Sequence, residues 1–230
     1  MTKEFLHRIK RKLMKMRLQP IRVFCLHHVC ATFDAESMNT CDWMQIDDFK
    51  AKLQALQQDG VEFISLPEAY KHICDNWIRC KKYAVLTFDD GYASLKEILP
   101  WLNEQHIPAT LFINGKYLDG KSYRNNPKEK YLTKEEIDQL SKQYPLLTIG
   151  SHGWEHIHAT DMTNDEFVAS ADKNVALLSS HPCYIPFWAY AYGDHTQFTD
   201  MHLWNQHIVP IYIDGMKNYN EPNVIHRELL

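Results

Sequence analysis

Tyr83-Ala84-Val85-Leu86-Thr87-Phe88-Asp89-Asp90-Gly91-Tyr92 is the stretch from which the fold can be read. A run rich in β-branched and aromatic residues passes directly into two carboxylates and a glycine, the pattern of a buried strand that breaks sharply into a loop. Adjacent carboxylates at a buried strand end repel each other and lose hydration, so both stay ionised only beside a compensating charge. A cation is the usual remedy. Side chains alternate along a strand, so at such a turn one Asp can bind a metal while the other faces a substrate. Asp-Asp-Gly is also ordinary turn chemistry, and by itself it marks no site.

The second feature is Ile149-Gly150-Ser151-His152-Gly153-Trp154-Glu155-His156-Ile157-His158. Histidines at i and i+4 share one face of a helical turn, so a helix here presents His152 and His156 to one ion and leaves His158 off that face. Two imidazole nitrogens and one carboxylate oxygen make a three-ligand site. Such a set leaves coordination open for water, as a catalytic zinc site requires and a closed structural site does not.

Thr87-Phe88-Asp89-Asp90-Gly91 followed by His152-x-x-x-His156 resembles the first two motifs of the polysaccharide deacetylases, the NodB-homology or carbohydrate esterase family 4 enzymes. Ile107-Pro108-Ala109-Thr110-Leu111-Phe112-Ile113 is similar to the family's next core strand, and Trp188-Ala189-Tyr190-Ala191-Tyr192-Gly193-Asp194 to its third motif. The resemblance runs from about Ile21 to the C-terminus. It implies an irregular (β/α) barrel of about seven mainly parallel strands. It also implies a metal-dependent hydrolase that removes acetyl groups from N-acetylated sugars, with Asp90, His152 and His156 as metal ligands and Asp89 as general base. Zinc suits the mixed N/O donors best, although cobalt, nickel or iron also fit them.

The resemblance further assigns the backbone N–H of Tyr192 to the oxyanion and His226, in Val224-Ile225-His226-Arg227, to the protonation of the leaving amine. His27, in Leu26-His27-His28-Val29, occupies the histidine of a family Tyr-His-x-Val element; it either meets substrate, shuttles protons or completes a hydrogen-bond network. Trp154 is an aromatic candidate for sugar contact, and His195 is either a second acid or a loop residue. Where the family commonly has arginine and prolines, this chain has Ala189, Tyr190 and Ala191. No arginine from that segment steadies Asp89, and the turn carrying Tyr192 is expected to be looser.

At 230 residues with 45% hydrophobic content, the chain makes one large domain with a proper core. A net charge of -4 argues against a nucleic-acid partner. Cys25, Cys30, Cys41, Cys74, Cys80 and Cys183 show no C-x-x-C pair, which favours reduced thiols while an even count leaves disulfides open. Residues 1–20 differ in kind: seven basic residues against Glu4 give them +6, so the remaining 210 carry -10. Phe5, Leu6, Ile9, Leu13 and Met16 recur at helical spacing. This basic amphipathic helix either lies on an anionic membrane surface or packs on the domain of residues 21–230. Neither a secretory signal nor a transmembrane span fits it, so the expected place is the cytoplasm.

Strands are expected at Ile21 to Leu26, Val61 to Ser65, Pro108 to Asn114, Leu146 to Gly150, Tyr184 to Tyr190, Ile208 to Ile213 and Asn223 to His226. Helices are expected at Asp47 to Gln58, from Leu66-Pro67-Glu68, at Ala93 to Gln105, and after the capping boxes Thr133-x-x-Glu136 and Thr163-x-x-Glu166. The alternation predicts an α/β fold with a mainly parallel sheet, and active groups gather at the C-terminal ends of its strands. A non-catalytic sugar-binding barrel has no need of Asp89 beside three intact ligands, and a phosphate-ester hydrolase calls for a more basic pocket.

Overall fold

The structure, a computed structural model, describes residues 19–31, 43–75, 81–121 and 130–230. Its wall runs in the order β1 (Ile21–Leu26), β10 (Ile225–Leu229), β9 (Val209–Ile213), β8 (Tyr184–Ala189), β7 (Leu147–Ser151), β6 (Ala109–Ile113) and β5 (Lys82–Phe88). β5 then returns to β1 over six paired positions, from Ile21↔Tyr83 to Leu26↔Phe88. Every neighbour is parallel, so the wall is the closed seven-stranded barrel the resemblance implies. β4 (Val61–Phe63) lies outside that circle. It takes the edge of β5 at 82–84 while β6 takes it at 86–88.

Strands buried on both faces read as continuous apolar runs, and the pleat divides them between two clusters. Val23, Val85, Phe112, Phe187, Ile211 and Ile225 fill the barrel interior. Phe24, Leu26, Leu86, Phe88, Leu111 and Ile149 face outward under the helices. Those helices are α1 (Ile46–Gln58), α2 (Leu66–Cys74), α3 (Leu95–Glu104), α4 (Lys134–Gln143), α5 (Asn164–Leu178) and α6 (Gln197–Asn205). Thr133 and Thr163 make the reciprocal capping-box bonds that their spacing predicts. Thr196 starts α6 in the same way with Thr199 instead of a Glu or Gln at the third position, which is why the pattern does not announce that helix.

Short β2 (His28–Cys30) and β3 (Trp43–Gln45) form a separate parallel pair, each too brief to show a period. Cys25, Cys30, Cys74 and Cys183 are free thiols; Cys41 and Cys80 lie outside the described residues, as do residues 1–18 of the basic segment and 122–129 of the polar loop. Among the described residues no helix is long and apolar enough to cross a membrane.

Candidate active site

β5 delivers both carboxylates to the C-terminal mouth of the barrel, and the turn that follows separates them. Asp90 (φ 72°) and Gly91 (φ 86°) are consecutive left-handed residues, a conformation costly to any residue but glycine and more tolerable for Asp than most. Asp89 continues the inward face of β5 and meets Arg227 of β10 in a bidentate pair. Nη1 donates to Oδ1 at 2.6 Å and Nη2 to Oδ2 at 2.8 Å, with a further Nη1 bond to Thr87 Oγ1 at 3.1 Å. The Cys25 thiol also lies 3.4 Å from Asp89 Oδ2. Burial works against ionisation of Asp89, yet the Arg227 guanidinium and then His152 outweigh it and hold the carboxyl at about 2.

His152 and His156 do converge, but not on a helix. The chain from 152 to 158 is a loop that turns at Gly153 (φ 89°), so the i, i+4 spacing is met by a bend in place of the expected helical turn. Buried Asn114 fastens this bend, donating from Nδ2 to the carbonyls of His152 (2.6 Å) and Gly153 (3.3 Å). Asn174 in turn donates to Ile113 O and accepts from Gly115 N. The two imidazoles come to 5.1 Å between centroids.

Asp90 Oδ1 stands 3.4 Å from His152 Nε2 and 3.2 Å from His156 Nε2, and among the described residues this buried oxygen has no hydrogen-bond partner. His152 Nδ1 lies 2.8 Å from the carbonyl of Ala189. A carbonyl only accepts, so Nδ1 carries a hydrogen, and the ring in its neutral form would turn the Nε2 lone pair toward Asp90. Burial pushes the His152 pKa down, but Asp89 and Asp90 push it up further. Burial and then His152 hold His156 down at about 4. The pocket thus attracts one positive charge and resists a second proton. Three donor atoms, all within 4.8 Å of one another, are the oxygen and nitrogen set that suits a divalent transition metal.

His27 joins this centre: a ring nitrogen, Cys25 Sγ and an Asp89 oxygen lie within 4.8 Å of one another. Tyr192 also belongs to it, edge-on to His156 at 4.4 Å. Trp154 and His226 are not brought to it. Trp154 packs against Gly115 and under the Lys173 ammonium, 3.8 Å from its ring. His226 occupies the face of β10 opposite Arg227, where Nδ1 meets Asp214 at 2.7 Å and Nε2 meets Glu221 at 3.3 Å. The pleat is the reason: adjacent strand residues point to opposite faces, and Arg227 takes the inward one. Arg227 itself is the residue at this site that the motifs do not announce: in Ile225-His226-Arg227-Glu228-Leu229 it stands among other polar residues, and only the fold shows that it faces inward to Asp89.

A polysaccharide deacetylase family profile matches residues 78–203. A relative from Bacillus subtilis (strain 168), YxkH, which carries the family's name, is 25% identical over 117 residues, covering 50% of this chain and 38% of that protein. The chain therefore spans well under half the length of that relative. Among solved structures, IcaB from Ammonifex degensii superposes with a TM-score of 0.77 at 21% identity over 92% of both chains. The Streptococcus pyogenes deacetylase PplD, solved in complex with acetate, gives 0.74 at 20% identity, again over 92% of both. A de-N-acetylase from Aggregatibacter actinomycetemcomitans gives 0.75 at 16% identity over 92% of this chain and 95% of that one. At these identities the likeness is one of fold.

Proposed function

Because the chain belongs to the polysaccharide deacetylase family, we propose that it is a metal-dependent carbohydrate N-deacetylase, which cleaves the acetamide of an N-acetylated sugar to a free amine and acetate. The observation that carries this reading is the unpartnered Asp90 oxygen facing His152 and His156, beside a second carboxylate kept ionised by Arg227. Asp90, His152 and His156 would hold the ion, most suitably zinc. A divalent cation held there would supply Lewis-acid polarisation of the amide carbonyl and would acidify the attacking water.

The protein's own groups do the rest. Asp89 accepts the proton of the attacking water. Against the cost of burial, Arg227 and His152 hold its carboxyl at about 2, so it stands ionised and ready to take that proton. Arg227 fixes both oxygens of Asp89 and so fixes the direction of proton transfer. The backbone N–H of Tyr192 donates to the oxygen that gains charge. In this reading His27, grouped with Asp89 and Cys25, takes the role of proton donor to the leaving nitrogen, since His226 faces Asp214 and Glu221 instead.

Acetate release from N-acetylated saccharides, free, polymeric, nucleotide-linked and lipid-linked, tests the reading directly. Wild-type protein loaded with zinc is expected to release acetate, and Asp89→Asn to lose activity by at least about a hundredfold while binding the same amount of metal. Loss of the metal from Asp89→Asn with retained activity on reloading would reverse the roles of the two aspartates.

A further inference from the structure

Tyr192 sits at the mouth in a backbone conformation that does not hold itself. It has φ 59° and ψ -1°, and its side chain is 55% exposed. A left-handed, non-glycine residue in a half-exposed turn persists only when neighbouring contacts fix it. On the reading that this turn supplies the oxyanion donor, we propose that two carboxylates, Asp194 and Asp200, clamp it from opposite sides, and that His158, Asp194, Tyr190 and Asp200 are positioning residues of the hydrolysis.

One arm is short and lies at the surface. Asp194 accepts from His158 Nδ1, and the His158 ring lies flat on Tyr192, 3.8 Å between centroids at 8°. His158 belongs to the same loop as His156, whose ring meets Tyr192 at a steep angle, 4.4 Å between centroids. The stack therefore ties the turn to the segment carrying a metal ligand, and so sets the spacing between the ion and the Tyr192 backbone.

The other arm is buried beneath β8 and β9. Asp200 of α6 accepts from Tyr190 Oη (2.9 Å), Tyr212 Oη (2.8 Å) and His195 Nδ1 (2.9 Å), and the His195 ring stacks on Tyr212 at 3.9 Å. Residues 190 and 195 bracket the turn, so one carboxylate pins its entry and its exit. Between them Gly193 (φ 82°) allows a close approach: a Cβ there would meet Ile213 Cγ2 at 2.5 Å. The turn is thus seated on β9 and held at its flanks by hydrogen bonds to Asp194 and Asp200 together with the ring stacks on Tyr192 and Tyr212.

The test uses the zinc-loaded full chain. His158→Ala, Asp194→Asn and Tyr190→Phe are each expected to lower kcat, roughly tenfold to a hundredfold for a donor displaced by a fraction of an ångström, with KM and zinc content little changed. His158→Phe keeps the flat stack and is expected to recover part of the loss seen in His158→Ala. Amide hydrogen exchange at Tyr192 and Gly193 gives a readout that needs no substrate, and it should quicken in His158→Ala and Tyr190→Phe. Unchanged exchange at both amides overturns the clamp, as does a loss confined to KM, which would make these residues substrate contacts. Should wild-type protein release no acetate, the deacetylase reading falls, and the exchange rates still decide whether the clamp exists.

Discussion

Arg227 and Asp89 lie 138 residues apart in the chain and make a bidentate ion pair in the barrel interior. Removing one partner of such a pair strands the other charge out of water, so Arg227→Met is expected to cost about 3–5 kcal/mol, read as a lowered denaturation midpoint. Arg227→Lys keeps the charge without the fork and should fold while losing most activity. The pH dependence follows in sign. Asp89 is held at about 2 against an ordinary 3.8, so its stabilising share is complete above the ordinary value. It fades as pH falls from there through 2, and an acid titration of wild-type stability should flatten in that window in Asp89→Asn. His27→Ala should lower kcat by at least about tenfold, whereas His226→Ala should leave turnover near wild type; equal losses would contradict the assignment of the proton donor to His27. At this scale the sequence shows the two acids and two histidines plainly because each is a local motif. Arg227 and the facing of His226 depend on which way a distant strand presents its pleat, which no local spacing records.

The loop between β7 and α5 shows how a spacing rule can reach a correct pairing through the wrong element. His152 and His156 meet because Gly153 turns the backbone into the left-handed region and Asn114 holds the two carbonyls beside it; helical periodicity has no part. Gly153→Ala should therefore weaken zinc affinity, by the ~1–2 kcal/mol that left-handed backbone costs a residue with a Cβ, in an isothermal titration, while far-UV circular dichroism stays that of wild type. A helix across 152–156 would tolerate alanine. Elements with strong local signals, such as β1, β5 and the helices begun by Thr133 and Thr163, fall where their sequences place them. β2, β3 and α6 are illegible because three-residue strands have no period and the cap of α6 departs from the usual residue pair.

Across the whole molecule, alternation of strands and helices gives an α/β layout, but closure rests on β1 meeting β10, a contact between segments some two hundred residues apart. The core is filled by Val85, Phe112, Phe187 and Ile211 and owes nothing to Asp90, His152 and His156 at the mouth. Stripping the metal with a chelator is accordingly expected to abolish turnover and lower the thermal midpoint by a few degrees only, the linkage of a bound ion to an already folded barrel. Chelated protein that lost its secondary structure would show the ion to be part of the fold.

β10 does two jobs with neighbouring atoms: its backbone completes the wall against β1, and its Arg227 reaches Asp89 just past the end of β5. A chain clipped ahead of that strand, or one still emerging during synthesis, lacks the seam and the guanidinium together. Such an intermediate would be silent toward sugars it met too early, because the same docking event that finishes the molecule also arms it.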